Sequence, residues 1–181
     1  MLAVQINEDG ERNGGQGASG LWLMLFVYAK YAELFDTLFL ILRRRHVTFL
    51  HWYHHATVLL YCWRLYGDRP AVGIWFAAMN YLVHSVMYFY YFLTAVGFRP
   101  KWGIVVTILQ LMQMVAGMAL CITVGYYKFY RPEVKTHVTE GTFYYGIVIY
   151  LSYFALFLSF FWKRYIQPYL AKTSQKKKKT E

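Results

Sequence analysis

Five apolar stretches, at residues 21–42, 47–66, 71–96, 102–125 and 143–162, dominate this chain of 181 residues. Each is long enough to cross roughly 30 Å of hydrocarbon at about 1.5 Å per helical residue. Lipid leaves no unpaired backbone polar group tolerable, so such segments fold as helices that satisfy their N–H and C=O groups internally. With 58% hydrophobic and 21% aromatic residues against 15% charged, too little polar material remains to cover a water-soluble domain. The expected fold is an all-α, polytopic membrane helix bundle with five transmembrane helices.

Breaker and charge signals separate the stretches: Arg43-Arg44-Arg45, Gly67-Asp68-Arg69-Pro70, residues 97–101, and a longer polar loop at 126–142. All six Trp fall within a few residues of a stretch end, where an amphipathic ring settles at the membrane interface. Lys and Arg divide unevenly, with 12 on the side of loops 43–46 and 97–101 and the segment after 162, and six on the other. The richer side, and with it the C-terminus, is expected in the cytosol. On this reading the net charge of +10 is a topology signal reinforced by anionic lipid, and nucleic acid is not an expected partner. Residues 1–20, polar and with five Gly, read as a flexible lumenal tail, residues 21–165 as the membrane domain and residues 166–181 as a basic cytosolic tail. Cys62 and Cys121 lack metal-ligand spacing and read as packing residues.

Polar groups inside membrane spans are costly and concentrate where function or internal pairing requires them. His51-Trp52-Tyr53-His54-His55 places three imidazoles in the second stretch. Counted from the expected cytosolic ends, Asp36, Glu33 and Lys30 lie roughly 9, 14 and 18 Å deep, and His51, His54 and His55 roughly 6 to 12 Å. Tyr88, His84 and Asn80 lie roughly 12, 18 and 24 Å deep, and Thr107, Gln110 and Gln113 roughly 8 to 17 Å. Within each helix the spacing keeps these groups together: Lys30, Glu33, Asp36 and Thr37 share a face, as do the three His, the triplet Asn80, His84 and Tyr88, and the pair Gln110 and Gln113. Four helices therefore aim polar faces at one another, making a pocket open to the cytosol with apolar, aromatic walls beyond it. Lys30 and Glu33 read either as a structural ion pair or as part of that site. Thr107, Gln110 and Gln113 read as interhelical glue or as site residues, and Tyr88 as packing and pocket wall.

Four ordered motifs carry a family resemblance: Lys30-Tyr-Ala-Glu33-Leu-Phe-Asp36-Thr37, His51-Trp-Tyr-His54-His55, Asn80-Tyr-Leu-Val-His84-Ser-Val-Met87-Tyr88, and Thr107-Ile-Leu-Gln110-Leu-Met-Gln113. Over residues 21–165 the chain resembles the very-long-chain fatty acid elongases of the endoplasmic reticulum, most closely the branch acting on saturated and monounsaturated chains. The resemblance implies a condensing enzyme, a 3-oxoacyl-CoA synthase, that joins acyl-CoA to malonyl-CoA around an acyl tunnel, with no metal and no cofactor beyond these substrates. It implies His54 as nucleophile through an acyl-imidazole, or as base, with His51 and His55 positioning it. His84 and Asn80 would polarise the thioester carbonyl, and Lys30, Glu33 and Asp36 would form a buried charge network. Homo-oligomers and other elongation-cycle enzymes are the implied partners besides lipid. Lys178 and Lys179 resemble a cytosolic dilysine retrieval signal, consistent with residence in the endoplasmic reticulum.

Seven spans are expected of the family against five here, and residues 1–20 are not expected to match it. Without two helices, the Lys30 face would lack neighbours and one side of the tunnel would open to lipid. A lipid-binding or regulatory fragment without turnover is therefore the non-enzymatic alternative. A metal-dependent desaturase or hydroxylase is the other, since His-x-x-His-His also occurs in membrane di-iron sites, although the six His of this chain are fewer than such clusters use. A three-His zinc site stays geometrically open.

Overall fold

The computed structural model describes residues 17–68, 72–98, 100–131, 133–134 and 136–178. Every regular element among them is helical: α1 (Gly17–Leu42), α2 (Phe49–Asp68), α3 (Val72–Ala95), α4 (Gly103–Tyr130), α5 (Glu140–Phe161), a π-helical turn (Trp162–Ile166) and α6 (Gln167–Lys178). The five long helices correspond to the five apolar stretches. On length and composition α3, α4 and the continuous helix Glu140–Gln175 are apolar enough to cross a membrane. In α1 and α2 the same length is diluted by Lys30, Glu33 and Asp36 and by three imidazoles. The chain is a polytopic membrane helix bundle.

The helices close into a ring. α1 packs on α2 and α3, α2 also packs on α5, and α4 joins α5 to α3, so the circuit runs α1, α2, α5, α4, α3. Large apolar side chains cover the outside, with Leu82 at 68% and Ile122 at 73% exposure, while Lys30 inside is 2% exposed. This inverts a water-soluble protein, because lipid solvates the apolar exterior and only the interior can pair polar groups. The Lys30 face thus has neighbours within these five helices, Glu33 on α1 and Asn80 on α3, contrary to the expectation that it would lack them. Bulky aromatics fit inside because glycines recess the opposing helices. A Cβ on Gly117 of α4 would enter the ring of buried Tyr150 on α5, and one on Gly146 of α5 would meet the Tyr61 hydroxyl of α2 at 2.6 Å.

Several boundaries move. α1 starts at Gly17, ahead of residue 21, with Gly20 already buried. α4 runs past residue 125 to Tyr130, because the first breaker is Pro132; Arg131 before it leaves the helix at φ −133°, ψ 64°. α5 begins at Glu140, where Thr139 caps the helix by accepting from Thr142 N–H. Residues 166–178 of the expected tail are helical, continuing α5 through the π-turn in which Gln167 N–H donates to Trp162 O. Pro168 follows with no N–H to offer, and a widened turn beside a proline is a common accommodation. At that same end of the bundle α1 and α3 close alike: Arg44 (φ 51°) and Gly97 (φ 91°) turn left-handed, and Arg45 N–H and Phe98 N–H donate back to Leu40 O and Leu93 O, both at 2.9 Å.

Gly117→Ala is expected to destabilise the bundle by about 1–3 kcal/mol, since the Tyr150 ring has nowhere to move. Gly67→Ala, with nothing within 4 Å of the new Cβ, is expected to leave stability unchanged or slightly raised. Thermal denaturation in detergent, followed by size-exclusion fluorescence, checks the pair.

Candidate functional site

The polar faces of α1, α2 and α3 meet inside the ring, toward the end that carries the Arg43–Arg45 loop and α6. Lys30 Nζ donates to Glu33 Oε1 at 2.5 Å and to Asn80 Oδ1 at 2.6 Å, tying α1 to α3. The Phe26 ring lies 4.6 Å below the ammonium. An ammonium only donates, so it fixes Asn80 with its oxygen toward Lys30 and its amide NH2 turned away from Lys30. Glu33 is shared, for its Oε1 lies 3.5 Å from His84 Nδ1, an ion-pair distance without hydrogen-bond alignment. A carboxylate beside one ring nitrogen orients an imidazole and sets which nitrogen carries the proton.

The three imidazoles of α2 lie in different surroundings. His54 faces His84 at 6.5 Å between ring centroids and Tyr153 of α5 at 4.9 Å. The Tyr153 hydroxyl donates to His54 O at 3.3 Å and shares a 2.7 Å hydrogen bond with Thr57. His55 is 9% exposed, and its Nδ1 is buried without a hydrogen bond, as is Glu33 Oε2. Half-buried His51 shares a 3.0 Å hydrogen bond with Thr37 through Nε2, and its ring lies 4.4 Å from that of His55. Nearer the loops, the Tyr88 hydroxyl donates to Asp36 Oδ2 at 2.6 Å, so Tyr88 is an acid's partner as well as a wall.

The residues singled out on α4 stand apart from this cluster in their contacts. Gln110 Nε2 donates to Met87 Sδ at 3.3 Å, and buried Thr107 bonds Gly103 O at 3.3 Å and Tyr165 of the π-turn at 3.4 Å. Gln113 is buried in the same face. These contacts fit interhelical glue. Sequence spacing missed Tyr153 and Thr57. Thr57 follows His54 by three positions and was legible on the same face, whereas α5 carries no charged residue after its first turn to mark Tyr153. Among the described residues no group of three or more His, Cys, Asp or Glu is arranged to share one metal ion. Lys179 lies outside the described residues, and Lys178 ends α6.

At the opposite end, Tyr61, Leu65, Val72, Phe76, Cys121, Val124, Val138 and Phe143 line a small apolar pocket with a cavity volume of about 10 Å³. Beside it the Arg64 guanidinium donates to buried Thr142 at 2.8 Å, and Thr139 donates to Asp68 at 3.0 Å, stitching α2 to the start of α5.

Comparison with known proteins places this geometry in a family. The model of the ELO family, described as GNS1/SUR4, matches residues 4–178, which includes most of the segment before residue 21 that was not expected to match. The chain is 42% identical over 160 residues to a Trypanosoma cruzi protein named fatty acid elongase 3, covering 87% of this chain and 53% of that protein. It is 43% identical over 151 residues to very long chain fatty acid elongase 6 of Drosophila melanogaster, covering 82% and 48%. Against very long chain fatty acid elongase 6 of Gallus gallus it is 45% identical over 151 residues, covering 82% and 56%. The chain spans about half the length of the curated relatives it matches. No solved structure gives a significant match. With a family model running through all four polar motifs and nearly the whole chain, the protein belongs to the ELO (GNS1/SUR4) family.

Proposed function

We propose that this chain carries the condensing site of fatty acid elongation, joining a long-chain acyl-CoA to malonyl-CoA to give a 3-oxoacyl-CoA two carbons longer, CoA and CO2. The observation that carries the reading is the meeting of His54, His84 and the Lys30–Glu33–Asn80 network inside a closed ring of helices. The relatives' names support elongation of fatty acids in general; they span several elongase types, so the reading concerns the shared chemistry rather than the saturated and monounsaturated branch.

His54 attacks the acyl thioester carbonyl, the C–S bond breaks, and CoA leaves with the acyl group held on the imidazole. Loss of CO2 from malonyl-CoA then leaves a carbanion whose carbon attacks that acyl carbonyl, forming the new C–C bond as the acyl C–N bond breaks. If His54 acts as base instead, it serves direct attack of the same carbanion on the thioester. The 6.5 Å between the His54 and His84 rings is about twice the ~3–3.5 Å of a near-attack contact, so a carbonyl between them reaches both. His84 and the NH2 of Asn80 supply donors to the developing oxyanion. Lys30 and Glu33 hold those donors, while His51, His55, Thr37, Asp36 and Tyr88 line the approach from the basic end. Gln110 and Gln113 of α4 act as interhelical glue rather than touching the substrate. The acyl chain lies along the ring interior, among the aromatic and aliphatic side chains of several helices.

In this reading the protein resides in the endoplasmic reticulum membrane with its C-terminus cytosolic, where acyl-CoA and malonyl-CoA reach the basic end. Lys178 and Lys179 serve as its retrieval signal. Homo-oligomers or other enzymes of the elongation cycle are its protein partners. The second reading is acyl-CoA binding without turnover.

His54→Ala is expected to abolish malonyl-dependent extension of palmitoyl-CoA in microsomes, a loss of at least about 10²-fold, while His137→Ala, in the loop between α4 and α5, changes it little. Equal extension by the two variants overturns the mechanism; retained palmitoyl-CoA binding with no extension by the unmutated chain establishes the second reading instead. For topology, an epitope after Glu181 should be reached by antibody when only the plasma membrane is permeabilised, and one before residue 17 should not. Replacing Lys178 and Lys179 by Ser should release protein to later secretory compartments. A protected C-terminal epitope reverses the orientation, and unchanged reticular staining removes the retrieval signal.

A further inference from the structure

The stoichiometry of the proposed reaction sets a requirement that His54 cannot meet alone. Malonyl-CoA enters as a carboxylate and leaves as neutral CO2, so each condensation consumes one proton. In the first half-reaction the proton lost by the His54 imidazole leaves on CoA. In the second, the C–N bond breaks with its electron pair on nitrogen, and the imidazole must regain a proton before the next turnover. His54 is half-buried within the ring, faced by His84, Tyr153, Phe157 and His55. A proton arriving from the basic end meets the rings nearer that end first.

We propose that Thr37, His51 and His55 form the route by which that proton reaches His54 from the basic end of the bundle. This rests on the condensation reading and extends it. His51, half-buried in the first turn of α2, is the outermost ring and is held by Thr37 at 3.0 Å. From it the rings step inward, 4.4 Å to His55 and 5.4 Å from His55 to His54. Each step is one that a proton crosses directly or through one water. His55 suits the middle position because its Nδ1 is buried yet holds no hydrogen bond, leaving that nitrogen able to take and pass a proton. An imidazole accepts on one nitrogen and releases from the other, so successive rings move a proton without moving themselves.

The surroundings favour passage over storage. α1 turns Lys30, Glu33 and Asp36 toward the route, and α3 brings His84 and Tyr88. Lys30 and Glu33 neutralise each other at 2.5 Å, and the Asp36 carboxylate, bonded to Tyr88 near the entrance, attracts a proton from solvent. From α5 the rings of Tyr153 and Phe157 face His54; Phe157 offers no proton, and the Tyr153 hydroxyl is engaged by Thr57 and the His54 carbonyl.

His51→Gln keeps a side chain able to bond Thr37 but cannot relay a proton. With palmitoyl-CoA and malonyl-CoA, its burst of CoA release in the first turnover is expected at the unmutated rate, while steady-state 3-oxoacyl-CoA formation falls about 10²-fold and the slowdown in D2O grows. His51→Ala, which leaves space for a ring, should regain at least a tenfold part of its loss on addition of free imidazole. Thr37→Val, which frees the His51 ring without removing it, should lose several-fold with the burst intact and guards against a misfolded His51 variant. A burst and a turnover that fall together, with no imidazole rescue and an unchanged solvent isotope effect, mean that His51 only positions, and the relay is overturned. Turnover of His51→Gln equal to that of the unmutated protein overturns it as well. Failure of the condensation reading is distinct, for then the unmutated protein itself shows neither burst nor product.

Discussion

An ammonium group buried among membrane helices holds the interior of this protein together. Lys30 would cost about 2.5–3.5 kcal/mol if it faced hydrocarbon on insertion scales. It is nearly inaccessible, bound to Glu33 on its own helix and to Asn80 on α3. Because the second of these bonds crosses between α1 and α3, the charge is satisfied only when the ring closes. The same contact turns the Asn80 NH2 away from Lys30 and places Glu33 beside His84, so one buried cation sets the orientation of two of the groups proposed to meet the substrate. Removing Lys30 would leave a buried carboxylate without its counter-ion, the more damaging way to break such a pair.

The rest of the fold follows from separating two tasks along the helix axes. At the basic end the helices carry imidazoles, carboxylates and hydroxyls, and their spacing is set by hydrogen bonds. At the other end they carry Tyr61, Phe76, Phe143 and Tyr150, and their spacing is set by packing. Lipid tails give apolar helices little reason to prefer one another, so close association there depends on shape. Gly117 and Gly146 supply that shape by admitting Tyr150 and Tyr61. Arg64, Thr142, Thr139 and Asp68 then pin α2 to α5 at the far rim. Together these leave an interior that is polar at one end and apolar at the other, the arrangement an amphiphilic substrate requires.

How much of this was legible in the sequence depended on whether a residue's own helix revealed it. Lys30 and Glu33, or His51 and His55, are neighbours by helical spacing, and their pairing could be read from the chain. The Lys30–Asn80 and Tyr88–Asp36 bonds span separate helices, yet roughly similar depths counted from the same membrane face were enough to bring them to one layer. The order of the ring was not legible, because counting spans says nothing about which helix lies beside which: α2 packs on α5 and α1 on α3, neighbours that chain order alone does not give. Tyr153 was missed for a related reason. On a helix with eight other aromatic residues, no local signal distinguishes the tyrosine that meets an imidazole from those that meet lipid. The π-turn was hidden as well, since Pro168 marks a disturbance but not whether the helix ends or widens.

Three imidazoles within five residues show why residue type underdetermines role. His54 and His55 are adjacent, so about 100° of helical rotation separates a ring that meets His84 and Tyr153 from one whose Nδ1 meets no partner. His51, one turn nearer the rim, keeps contact with both Thr37 and His55. His51 and His54 are half-buried and His55, whose ring lies between theirs, is buried, so the spacing i, i+3, i+4 sets three rings in contact with a single helix. Coupling a solvent proton to a reaction inside the bundle uses such a series: the ring nearest the rim takes the proton, the middle ring touches both neighbours, and the last receives it where the acyl group is held. A lone histidine would have to serve as acyl carrier and proton acceptor at once, whereas a series divides the two tasks among neighbours.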